Sequence, residues 1–121
     1  MKKKMKWMLP LWAIGFLFLT IDPAWAHPPT EIRLAYAVDK KKLHIEIEHV
    51  SHNLLTHHIR KITIFRNEQQ VKNFTLPSQT HPSQVIRDVD LEAKAGDTIQ
   101  VQAICSEGGR KEATLIIPEE K

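Results

Sequence analysis

Four of the chain's seven histidines fall within ten residues: His49, His52, His57 and His58, in the segment His49-Val50-Ser51-His52-Asn53-Leu54-Leu55-Thr56-His57-His58. The only cysteine, Cys105, comes much later and precedes Ser106-Glu107-Gly108-Gly109. Imidazole nitrogens and a thiolate sulfur meeting at one point make a borderline-soft donor set. That set suits Fe, Zn or Cu and not Mg or Ca. The same residues also fit a plainer reading, in which the histidines are solvated loop residues and Cys105 packs as a small hydrophobe. Other chemistries find less support. No glycine loop of phosphate-cradling form is present. Ser51 and Ser106 lie near histidines, but nothing joins them into a nucleophile, base and acid. Asn73-Phe74-Thr75 matches a glycosylation acceptor by pattern only.

These residues need a frame to bring them together, and the pattern of the chain supplies one. Glu31 to Val38 alternates, with Ile32, Leu34 and Tyr36 on one side. Leu43, Ile45 and Ile47 alternate with His44, Glu46 and Glu48, the mark of a half-buried strand. Further strands are predicted over His58 to Arg66, Val71 to Leu76, Gln84 to Leu91, Thr98 to Cys105 and Glu112 to Ile117. Turn residues separate them: Asp39-Lys40-Lys41, Asn67-Glu68, Ala95-Gly96-Asp97 and Ser106 to Arg110. The segment from Pro77 to Pro82 is predicted to be a loop. Seven short strands with no helical pattern predict an all-β fold, an immunoglobulin-like antiparallel β-sandwich. The histidine segment then becomes a loop at one end of the sandwich, and Cys105 ends a later strand. Loops held by a rigid sandwich are where binding sites concentrate.

The first 26 residues have a different character. Lys2, Lys3, Lys4 and Lys6 precede an apolar run from Trp7 to Leu19. Asp22 and Pro23 follow, and then Ala24-Trp25-Ala26. A positive start, a short apolar centre and an A-x-A end predict a cleaved export signal. The apolar run falls short of the roughly 20 residues a spanning helix needs, so no stable membrane span is expected after cleavage. The expected organisation is a signal peptide over 1–26 and one sandwich domain over 27–121, secreted into a bacterial periplasm. The whole chain carries 17 basic and 14 acidic residues. Removing the signal takes four Lys and one Asp and leaves 13 of each sign. The basic balance of the full chain is therefore no argument for nucleic acid, and none is expected as a partner. A lone cysteine in an exported domain cannot form an internal disulfide. It points to an intermolecular bond, a reactive thiol or a metal ligand. A structural alternative is an adhesion module that pairs through the last strand, if that strand lies at an edge.

Three stretches of the mature chain resemble the iron-binding domain of the desulfoferrodoxin and superoxide reductase family. They are His27-Pro28-Pro29 running into Glu31-Ile32-Arg33-Leu34; His49-Val50-Ser51 followed by His57-His58-Ile59-Arg60-Lys61-Ile62; and Ala95-Gly96-Asp97-Thr98-Ile99 leading to Cys105-Ser106. The resemblance implies an immunoglobulin-like sandwich. It also implies a ferrous ion held by four His in a plane and a Cys thiolate below, with a sixth position open to superoxide. Such a site reduces superoxide to peroxide with electrons from an outside donor protein. Cys105 matches the axial thiolate, and His49 and His57 match two of the imidazole ligands. His58 stands where the family has Tyr. The family's Cys-x-x-His-Gly turn departs here, because Gly108 occupies the histidine position. The protein ligands carried over are then His49, His57 and Cys105, with His27, His52 or His58 as candidates to replace the missing one. His27, at the expected new N-terminus, would offer an amine as well as an imidazole. The expected cofactor is Fe(II) if the site is intact, with Cu or Zn as alternatives. The competing reading is a non-catalytic sandwich whose degenerate site binds another metal or a protein partner.

Overall fold

Leu43, Ile45 and Ile47 can all leave water only if the segment is extended with one face inward, since side chains alternate across a strand. All three are fully buried. The structure is a computed structural model and describes residues 28–119. The expected export signal over 1–26 and His27 lie outside the described residues.

The elements run β1 (Glu31–Ala37), β2 (Lys42–Glu48), β3 (Ile59–Arg66), β4 (Gln69–Thr75), β5 (Gln84–Asp90), β6 (Thr98–Cys105) and β7 (Arg110–Ile116). They form two antiparallel sheets, ordered β1-β2-β5 and β4-β3-β6-β7. The result is the expected seven-stranded β-sandwich, with the fourth strand paired to the third. Between the sheets lie Leu43, Ile45 and Ile47 from β2, Ile62 and Ile64 from β3, and Ile99, Val101 and Ala103 from β6. The outward positions of β2 are polar, and those of β6 are polar except Ile104, which matches one solvated face per sheet. Among the described residues no helix is long and apolar enough to cross a membrane.

Strand limits differ from the sequence expectation where a loop claims the backbone. β3 starts at Ile59 and not at His58, because the His58 N–H donates to Ser106 Oγ and its carbonyl accepts from the Ser106 N–H. β5 stops at Asp90, since the Leu91 N–H donates to the Lys41 carbonyl. β7 begins earlier than expected, at Arg110, which pairs with Ile104. The β3–β4 hairpin turns at Asn67 and Glu68, both with positive φ (51° and 72°). That is the primed turn whose twist suits a two-residue hairpin. β7 does lie at a sheet edge, where Lys111 and Glu112 are exposed, a pattern that discourages pairing with another chain.

Candidate metal centre

The site is built where β2, β3 and β6 end together. Antiparallel pairing sets Ile59, the first residue of β3, against Cys105, the last of β6. A register shift between Ile59 and Lys61 leaves Arg60 as the extra residue of a bulge. This places the chain just before β3, with His57 and His58, beside the turn that follows Cys105. His49 comes directly after β2, on the facing sheet.

Three loops are stitched at this end. His49 N–H donates to the Ser83 carbonyl (3.0 Å), and Ser51 N–H to the Pro82 carbonyl (2.8 Å). Ser51 Oγ donates to the His57 carbonyl and accepts from Asn53 N–H. Ser106 Oγ donates to the Thr56 carbonyl at 2.9 Å. Asn53 closes a turn by accepting from Leu55 and Thr56 N–H groups, the local capping that Asn favours. Ser51 and Ser106 are thus the struts of the loop.

Within this frame His49, His57 and Cys105 each present a ligand atom, and the three atoms lie within 4.8 Å of one another. The His49 and His57 rings meet edge to face, with centroids 4.7 Å apart. Cys105 and His49 are buried, while His57 is partly exposed. Burial pushes the Cys105 thiol up, and the Glu107 N–H, 3.4 Å from Sγ, pulls the other way by stabilising the thiolate. Two imidazoles and one thiolate at this separation match the reach of a single bound transition ion, whose bonds run about 2.0–2.3 Å. The donor set fits a three-ligand mononuclear centre. It does not make a plane of four imidazoles, because among the described residues only His49 and His57 bring imidazoles to the group and Gly108 has no side chain to offer.

The other histidines are placed as follows. His58 is buried and its Nε2 lies 3.0 Å from the Leu76 carbonyl, to which it donates. His52 is exposed. Neither joins the three-atom group. His27 lies outside the described residues, but its neighbour Pro28 packs against Gly109, where an added Cβ would lie 2.5 Å from Pro28 N. His44, not singled out as a site residue, lies mid-strand between Asp88 and Glu46. The hollows lined by Lys41, Arg66 and Glu92 belong to the opposite end of the sandwich.

Sequence reasoning passed over Gln79. It sits in the loop between Pro77 and Pro82, almost fully buried at 3% exposure, with its amide oxygen 2.9 Å from His49 Nδ1. A glutamine between two prolines carries no motif, so nothing in the chain's pattern could have singled it out.

No family model matches the chain, and no curated protein matches it. Among solved structures the chain is similar to superoxide reductase (neelaredoxin) from Ignicoccus hospitalis. The two are 18% identical, the match covers 78% of this chain and 81% of that one, and the TM-score is 0.48. A variant form of the same Ignicoccus protein matches at 18% identity, over 80% of this chain and 83% of that one, with a TM-score of 0.49.

Proposed function

We propose that this chain is an exported metal-binding protein of superoxide-reductase-like character, with His49, His57 and Cys105 as the protein ligands of one ion. The observation that carries the reading is the meeting of two nitrogen donors from the β2–β3 loop and one sulfur donor from the end of β6, within 4.8 Å. The sequence resemblance to the desulfoferrodoxin family supports iron as the ion and superoxide as the substrate. When bound, a ferrous ion would supply the one electron that, with two protons, takes superoxide to hydrogen peroxide, and an outside donor protein would restore it. The chain's own part is to hold the thiolate and the His49 imidazole in a buried site, with the partly exposed His57 beside them. The export pattern of residues 1–26 supports a periplasmic setting.

A second reading has one feature in its favour. With Gly108 in place of an imidazole, three protein ligands also suit Zn or Cu, which accept low coordination numbers. A non-catalytic metal carrier would then result.

Anaerobic titration with Fe(II), Zn(II) and Cu(I) in turn, followed by mild oxidation of the iron-loaded sample, tests both readings. The expected result is one equivalent of Fe(II) and a thiolate-to-iron absorption band that Cys105→Ser abolishes. Stoichiometric Zn or Cu without iron would select the second reading. Failure of all three ions to bind, or binding indifferent to both Cys105→Ser and His57→Ala, would refute the site.

A further inference from the structure

We infer that Gln79 is a positioning residue that dictates which nitrogen of His49 is offered to the metal; the inference rests on the three-ligand site proposed above. Gln79 uses every hydrogen-bonding position of its amide. Its Nε2 donates to the His49 carbonyl at 2.9 Å and to the His81 carbonyl at 2.8 Å. Its Oε1 accepts from the Ile59 N–H at 3.2 Å and faces His49 Nδ1 at 2.9 Å.

Three of these four partners are backbone groups whose roles are not negotiable. Two are carbonyls, which only accept, and one is an N–H, which only donates. They decide which end of the amide is oxygen and which is nitrogen, independently of the imidazole. Reversing the amide would set its NH2 against the Ile59 N–H and its oxygen against two carbonyls. The oxygen therefore faces His49 Nδ1, and an amide oxygen cannot donate. Nδ1 must carry the proton, and in the neutral ring the lone pair is left on Nε2. Backbone geometry thereby selects the metal-ready tautomer through a single side chain. A free imidazole would divide itself between two tautomers and many ring orientations. The same amide also ties the end of β2, the start of β3 and the 77–82 loop together, and the Gln79 N–H adds a bond to the Leu54 carbonyl at 3.1 Å. Hydrogen-bond partners of metal-bound histidines set ligand orientation and basicity, and losing one typically costs about 10- to 100-fold in metal affinity.

The primary test needs no variant. In the metal-free protein, long-range proton–nitrogen NMR correlation should show His49 with a protonated Nδ1 and an unprotonated Nε2 at a pH where the ring is neutral. A proton on Nε2, or an even mixture of tautomers, would overturn the inference. The second test compares Gln79→Leu with Gln79→Glu by Zn(II) titration and the same NMR measurement. Leu removes the acceptor, so the tautomers should mix and zinc affinity should fall about 10- to 100-fold. Glu keeps the acceptor and should keep the Nδ1-protonated form, with affinity closer to the wild type. Both variants lose the donations to the His49 and His81 carbonyls. A merely structural role would therefore lower thermal stability and affinity together in both, and that parallel loss would overturn the inference. If Gln79→Leu does not fold, the wild-type spectrum and Gln79→Glu decide. Wild-type protein that takes up no zinc, iron or copper would refute the metal site, whereas the His49 tautomer would still be read directly.

Discussion

Gly108 and Gly109 follow Cys105 side by side and are glycine for different reasons. Gly108 has φ of 105°, a conformation L side chains rarely adopt, yet a Cβ there would meet nothing within 4 Å. Gly109 has room for no side chain: its Cβ would lie 2.5 Å from Pro28 N and 2.7 Å from Pro28 Cα. The Gly109 carbonyl also accepts the Cys105 N–H at 2.7 Å, so the ligand's own backbone is held by the residue that Pro28 covers. Gly109→Ala should therefore push the Pro28 segment off the turn and cost about 1–3 kcal/mol, the usual range for overpacking. Chemical denaturation gives the cost, and limited proteolysis should show earlier cleavage near residue 28. A variant as stable and as protected as the parent would contradict the close approach. Cys105 itself was legible as chemistry from its solitude in the sequence. Its distance to the two imidazoles was not, because that depends on strands far apart in the chain.

At the scale of elements, the solvent face of the β1-β2-β5 sheet is an alternating charge ladder. His44 on β2 lies opposite Asp88 on β5 and two residues before Glu46, with ring nitrogens 2.6 Å and 2.9 Å from their carboxylates. Arg33 on β1 reaches Glu46 and Glu48, and Lys42 pairs with Asp90. The His44 imidazolium donates to Glu46 and to Asp88, and these hydrogen bonds raise its pKa above the ordinary value. A raised folded-state pKa means the charged form is favoured by folding. The stabilisation is complete below the unfolded-state pKa of about 6.5 and fades as pH rises through the higher folded-state value. Because these groups are largely solvated, the effect belongs to the small range of surface pairs, about 0–1 kcal/mol. Proton NMR titration should place the His44 midpoint above that of the unfolded chain, and His44→Gln should remove this part of the pH dependence. A midpoint at or below the unfolded value would refute the ladder's role. Strand existence was legible here from alternation alone. Cross-strand partners were not, since register depends on turns and bulges such as the one at Arg60.

For the whole molecule, the sandwich separates its core from its site. Ile64 is fully buried and sits toward the Arg66 end of β3, away from His57 at the other end. Ile64→Ala should cost about 2–5 kcal/mol, as other large-to-small changes in cores do. A domain with total stability of about 5–15 kcal/mol can tolerate that and remain folded at low temperature. Its metal affinity, measured there, should match the parent within a few-fold. A steep loss of affinity would show that the site depends on the packing of the far core, and the separation would fail.

The amino-acid sequence alone determined the all-β class, the strand count, the turn at Asn67-Glu68 and the residue types able to grip a metal. Those features are local: alternation follows from strand geometry, turn preference from backbone dihedrals, and donor chemistry from the side chain itself. Tertiary structure alone decided that His49, His57 and Cys105 converge while His52 and His58 do not, and that Gln79 stands behind His49. Such choices rest on pairing between β3 and β6 and on loops crossing from one sheet to the other. Contacts between residues far apart in the chain leave no periodic trace in it, because many registers would bury the same apolar faces equally well.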